Sequence, residues 1–250
     1  MNRRFAFFVA GLILLACCAA LTVLPARWVM AMVPEPLPLT VVDASGTVWS
    51  GSATIAIGAS PHRRTIPEPL RWRLSFSNGP RLLLSHPWLG GPLTLAPAWL
   101  GVGVSAQTLQ LPATVLSTLD ARIAAIGPGG ELSLKWPAMF IGLSGQPAGA
   151  PLLDVQWLNA VSALTPIRPL GTYALALKQG ASGGADLILS TQLGPLMLKG
   201  AGVLDRKSGF QFDGTAQADP AENASVQAAL DDLLATLGPR QNNQTLLRFR

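Results

Sequence analysis

Two hydrophobic patterns divide the chain. The first is an unbroken apolar run from Phe5 to Leu24, without a charge and with Thr22 as its one clearly polar side chain. A helix of about 20 such residues spans a hydrocarbon core of about 30 Å, so residues 5–24 are predicted to form a transmembrane helix. The segment Val33-Pro-Glu-Pro-Leu-Pro-Leu39 that follows predicts an extended spacer, because proline favours the polyproline conformation and cannot sustain a helix. Beyond it the pattern alternates with a period of two. Leu70, Trp72, Leu74 and Phe76 face one way while Arg71, Arg73 and Ser75 face the other. Trp49, Ala53, Ile55 and Ile57 oppose Ser50, Ser52 and Thr54 in the same manner, and the alternation returns near residues 131–136, 172–178, 186–190 and 210–213. Such strands belong to an antiparallel sheet with one dry and one wet face.

Turn signals separate these runs: Asn78-Gly-Pro80, Gly127-Pro-Gly-Gly130, Gly183-Gly184 and Lys207-Ser-Gly209. Their spacing predicts about ten short strands in a meander. Two helical stretches interrupt it. Pro112–Ala125 starts with a residue suited to a first helical turn. Ala221–Leu237 follows Asp219 as N-cap and Pro220, and carries Val226, Leu230, Leu233, Leu234 and Leu237 at helical spacing before Gly238-Pro239 ends it. Thr245–Phe249 is read as a returning last strand. The fold class is therefore mainly β: a single N-terminal transmembrane helix, then an extended, curved antiparallel sheet with one or two short helices. The divisions are a cytoplasmic tip (1–4), the membrane helix (5–24), a Pro-rich spacer (25–39) and a periplasmic β-rich domain (40–250).

Charge supplies the orientation. Arg3 and Arg4 precede the apolar run, whereas Trp28 to Pro61 contains no Lys or Arg, so the positive-inside rule places the N-terminus in the cytoplasm and the long remainder across the membrane. Trp28 falls where an interfacial anchor would sit. A cleaved signal peptide has a shorter apolar core and a small-residue cleavage site. A lipoprotein reading of Leu14-Leu-Ala-Cys17 leaves an apolar stretch where a polar tether belongs. The run is accordingly read as an uncleaved anchor, and the two cysteines, Cys17 and Cys18, as small apolar residues packed inside it. Only 12% of residues are charged, against about a quarter in soluble domains, while Gly (25) and Pro (21) are abundant. This is the composition of a turn-rich β protein rather than a helical bundle. The formal charge of +5 includes no basic run interleaved with aromatics, so no nucleic-acid partner is inferred.

Candidate chemistry is sparse. His62 and His86 lie in Pro-flanked loops outside any metal-ligand pair. No nucleophile elbow occurs, and Gly101-Val-Gly103 and Gly200-Ala-Gly202 lack the context of a phosphate cradle. Asp231 and Asp232 are neighbours on one helix and do not converge; Asn223-Ala-Ser225 matches a glycosylation sequon that is common by chance. No catalytic, cofactor-binding or metal-ligating residue is assigned, and the chain is read as non-enzymatic. Trp49, Trp72, Trp136 and Trp157 are expected to pack the apolar face of the sheet.

Several segments, taken in order, resemble one family. They are the N-terminal anchor, the Pro-rich spacer, Ser45-Gly-Thr-Val-Trp-Ser-Gly51, Leu70-Arg-Trp-Arg73, Ile167-Arg-Pro-Leu-Gly-Thr-Tyr173, Leu189-Ser-Thr-Gln-Leu-Gly-Pro-Leu196, Phe212-Asp-Gly-Thr-Ala-Gln-Ala218 and the final helix through Gly238. Together they resemble type II secretion system protein N. The resemblance implies an accessory subunit without catalytic residues, anchored in the inner membrane, that touches other secretion components during export of folded proteins from the periplasm. The residues alone leave a second function open: a lipid-binding envelope protein whose sheet holds phospholipid acyl chains on its apolar face.

Overall fold

The computed structural model describes residues 19–20, 22–30, 39–58, 63–142, 145–181, 183–205, 209–241 and 244–249. Most of the 5–24 run with Cys17 and Cys18, the spacer from 31 to 38, His62 and residues 206–208 lie outside them. Among the described residues no helix is long and apolar enough to cross a membrane.

The alternating pattern yields strands, as expected, but they divide between two antiparallel sheets rather than forming one. The first sheet runs β1 (Leu39–Gly46), β2 (Ser50–Ile57), β4 (Leu70–Ser75), β5 (Arg81–Ser85), β6 (Leu93–Ala98), β7 (Gly101–Val104) and β10 (Met139–Gly142), with the two-residue β3 (Arg64–Thr65) beside β2. The second runs β8 (Gln107–Pro112), β9 (Gly129–Trp136), β11 (Pro151–Val161), β12 (Gly171–Gln179), β13 (Ala185–Leu193), β14 (Leu196–Asp205), β15 (Gly209–Ala218), β17 (Gln244–Phe249) and β16 (Arg240–Gln241). The chain is interleaved: after β8 and β9 it returns to the first sheet for β10 and then resumes the second. A short helix, α1 (Ala26–Met30), lies against β1.

Period-two patterning fixes the register of the second sheet. Val155 stands opposite Leu134 on one side and Leu175 on the other, and Trp157 opposite Leu132 and Tyr173. One residue of slip in β11 would turn Val155 and Trp157 to the other face and break their pairing with all four neighbours. A bulge bends β11 where Asn159 adopts a left-handed backbone (φ 48°) between Trp157 and Ala160, and bulges of this kind add curvature and twist.

The densest packing lies under the C-terminal helix, α3 (Ala224–Leu237). Its Leu230, Leu233 and Leu234 are fully buried against Tyr173, Leu196, Phe212, Ala216 and Leu247 of the second sheet. The helix starts at Ala224, later than the sequence suggests. Asn223 caps it, its side-chain oxygen accepting from the Val226 N–H at 3.0 Å, while the Asp219 carboxylate accepts from the Ala221 N–H inside the preceding turn. The other helical stretch is two pieces, a 3-10 turn (Ala113–Thr118) and α2 (Ala121–Ile126). Asp120 stands between them in an extended conformation and caps α2 through the Arg122 N–H at 2.7 Å.

Candidate functional site

Helix α3 covers only the β14–β17 half of the second sheet's apolar face. Over the other half lies the end of the first sheet, and a cavity of about 790 Å³ remains between them. The first sheet supplies Leu39, Ile55, Ile57, Leu70, Leu84 and Leu93, all from the strand ends remote from the β1–β2 hairpin. The facing wall is built from Leu109 and Leu111 of β8, Leu132, Leu134 and Trp136 of β9, Val155 and Trp157 of β11, Tyr173 and Leu175 of β12, and Leu189 of β13. Val115, Leu116 and Leu119 close one end. The lining is almost wholly hydrocarbon, and the volume falls in the usual range for ligand pockets, about 300–1,000 Å³.

The β5–β6 connection holds the two walls together. The Gly90 N–H donates to the Thr108 carbonyl at 2.8 Å and the Gln110 N–H to the Trp88 carbonyl at 2.7 Å, so this loop pairs with β8. His86, expected in a surface loop, is half-buried at the rim of the cavity. Its Nδ1 accepts from the Trp88 N–H at 3.1 Å, which leaves Nε2 as the protonated nitrogen donating to the Glu68 carbonyl at 3.1 Å. The ring is thereby held as one neutral tautomer, edge-on to Trp88 with centroids 5.0 Å apart. Its role is to tie the β3–β4 and β5–β6 connections together where the groove opens.

The tryptophans divide. Trp136 and Trp157 line the groove, their indole N–H groups donating to the Ser105 and Gly129 carbonyls at 3.2 and 2.9 Å. Trp72 is half-buried in the first sheet and donates to the Thr47 and Val48 carbonyls, both at 3.2 Å. Trp49 does not pack the apolar face; it sits on the β1–β2 turn, 38% exposed. Tyr173 marks the boundary between groove and core. Its hydroxyl faces the Leu170 and Leu196 carbonyls at 3.2 and 3.1 Å, and burial pushes its pKa well above the ordinary phenol range.

Ionisable groups do not converge on this site. Glu68 at the rim is exposed, and among the described residues no three His, Cys, Asp or Glu side chains gather as a metal would require. Asp231 pairs with Arg240 at 2.7 Å on the surface of α3. Gly101-Val-Gly103 and Gly200-Ala-Gly202 lie within β7 and β14, and Asn223 and Ser225 of the sequon are hydrogen-bonded to each other at the helix cap. Sequence reasoning found part of the lining, Ile55, Leu70, Leu132, Leu134, Tyr173 and Leu175 among it, as the apolar faces of separate strands, and did not single out Leu84, Leu93, Leu109 or Leu111. It raised an apolar groove only through the second function and did not identify the opposite wall, because alternation reports which face is dry and not what covers it.

No curated protein matches the chain, and no solved structure does. The sequence model of one family matches residues 38–250, from the residue before β1 through the end of the chain. That family is type II secretion system (T2SS), protein N. The match spans both sheets, the groove and α3, and it agrees with the ordered resemblance read from the residues. The chain belongs to the type II secretion system protein N family.

Proposed function

We propose that this protein is a non-enzymatic accessory component of type II secretion, held in the inner membrane by residues 5–24, whose periplasmic sheets act by contact with other secretion components. The observation that carries this reading is the family match over residues 38–250. The groove between the sheets supports action by contact, because its lining offers hydrophobic complementarity and almost no polar group to polarise or protonate a substrate. Deleting the gene should leave folded exoproteins trapped in the periplasm; normal export in the deletion strain would refute an essential role and leave only a dispensable accessory one. Fractionation of the native chain should recover it with the inner membrane.

The groove itself favours a second reading, a site for a phospholipid acyl chain. Each methylene kept out of water in such a site contributes about 0.8 kcal/mol, so the groove offers an acyl chain the same shelter from water that a bilayer does, without any polar contact. Leu134→Trp and Leu175→Trp place bulk in the space between the walls. If the groove carries lipid, native mass spectrometry should show lipid on the wild-type chain that both filled variants have lost. Equal lipid on all three would place that lipid outside the groove.

A further inference from the structure

The first sheet has a second apolar surface that neither reading uses. Following the register from strand to strand, every turn at one edge of this sheet carries exposed apolar side chains. Trp49 lies on the β1–β2 turn and Phe76 on the β4–β5 turn, their rings 6.1 Å apart. Trp99 and Leu100 form the β6–β7 turn, where Ala98 stands opposite Gly101. Ile141 lies at the same end of β10, opposite Val102. Exposure reaches 98% at Trp99, and is 60% at Phe76 and 61% at Ile141. Soluble proteins seldom leave an aromatic row of this kind in water, and such rows mark interaction surfaces.

Two further observations identify the occupant. The N-terminal segment joins this edge: the Val48 N–H donates to the Leu24 carbonyl at 3.0 Å, and Pro25 bridges to Thr47. The apolar run 5–24 therefore meets the fold at the β1–β2 hairpin, beside Trp28, which is 67% exposed. The charges also fit. Arg27, Arg73 and Arg81 lie at this edge, and segments 23–28, 46–51, 73–81, 97–102 and 139–142 contain no Asp or Glu. Aromatic rings with nearby arginines and no carboxylates are the chemistry of a membrane–water interface with anionic headgroups. The tips step outward along the sheet from Trp49 to Trp99, so strands tilted to the membrane normal bring them to one level.

We propose that this edge of the first sheet is a membrane-docking surface, its hairpin tips seated in the headgroup layer of the bilayer that residues 5–24 span. The inference rests on the anchored reading above, and the test separates the two. The full chain, with Cys17 and Cys18 replaced by Ser, is reconstituted into vesicles of phosphatidylethanolamine with a minority of phosphatidylglycerol. A fluorophore is attached at Phe76→Cys, at Trp99→Cys or, as a reference on the second sheet, at Leu193→Cys, where the native side chain is 75% exposed. Interfacial side chains sit about 5–10 Å into the headgroup boundary, so nitroxide lipids labelled near the headgroup should quench probes 76 and 99 at least roughly twofold more than probe 193. Aqueous iodide should show the reverse order. Probes 76 and 99 that match probe 193 with both quenchers would overturn the proposal, as would a chain that fails to float with vesicles at all. Resistance to alkaline carbonate reports the anchor separately. A chain stripped by alkaline carbonate, yet lipid-quenched at 76 and 99 beforehand, would refute the anchored reading and support the docking edge.

Discussion

Gly46 and Gly51 stand opposite each other across the β1–β2 hairpin, and they explain the segment Ser45-Gly-Thr-Val-Trp-Ser-Gly51 in physical terms. Gly46 adopts φ 91°, a conformation glycine takes without strain. Gly51 leaves room for the Trp72 ring; an added Cβ would lie 2.5 Å from its Cζ2 and 2.9 Å from its Cη2. The ring is meanwhile held by the hairpin carbonyls of Thr47 and Val48. Gly51→Val should therefore cost about 1–3 kcal/mol, as overpacking does, read as a lower midpoint in chemical unfolding at unchanged slope. Tyr173 gives a second test, and as the chain's single tyrosine it titrates without overlap from another phenol. Its folded pKa is raised by burial, so above the ordinary phenol pKa of about 10 the unfolded chain releases a proton that the folded chain keeps. Its contribution is fully present below about pH 10 and is lost as pH rises toward the folded value, by up to about 1.4 kcal/mol per pH unit. Tyr173→Phe should remove this component of the pH dependence, and the phenolate absorbance of the native protein should appear only well above the ordinary range.

At the level of elements, α3 and its cap offer a comparison of magnitudes. Leu233→Ala opens a cavity in the densest part of the molecule and should cost about 2–5 kcal/mol. Asn223→Ala removes one cap and should cost about 1 kcal/mol. Thermal melts should rank them in that order, and the reverse ranking would mean that the helix is held by its end rather than its face. The apolar face of α3 was legible in the sequence because Leu230, Leu233 and Leu234 recur at helical spacing. Its start was not, since Asp219 and Asn223 are both good caps within a few residues, and tertiary packing decides which one begins the helix. The same competition divided residues 112–125, where Asp120 reads as a surface residue of one helix and proves to be the cap of a second. Strands such as Leu70–Ser75 were legible from alternation alone. The division into two sheets was not, because β7 joins β10 rather than the next strand in sequence, β8, and alternation carries no signal of which distant strand a given one joins.

Across the whole molecule, packing quality is uneven. The largest fully buried side chains are Leu230, Leu233, Leu234 and Thr245, all at α3 or the strand beneath it, whereas the region between the sheets retains about 790 Å³ of unfilled space. Filling that space should not harm the fold. Leu134→Trp and Leu175→Trp are expected to cost less than the roughly 1–3 kcal/mol that added bulk costs in a filled core, since the groove has room for the ring and aromatic residues suit strands. A loss of several kcal/mol in both would show that the walls close on each other in solution and that no groove persists.

The interleaved path of the chain bears on the order in which the protein assembles. Strands β4 to β7 each pair with a neighbour close in sequence, and hairpins of this kind close quickly. Strand β10 is different: Met139 must find Val104 after the chain has passed through β8, both short helices and β9. Until then β7 presents an unpaired backbone edge, the feature most prone to recruit a foreign strand. A chain synthesised from its N-terminus onward thus completes its early sheet only after its later one has begun. The window of vulnerability to misassembly lies between the emergence of Val104 and that of Gly142, which is where a chaperone would do most good.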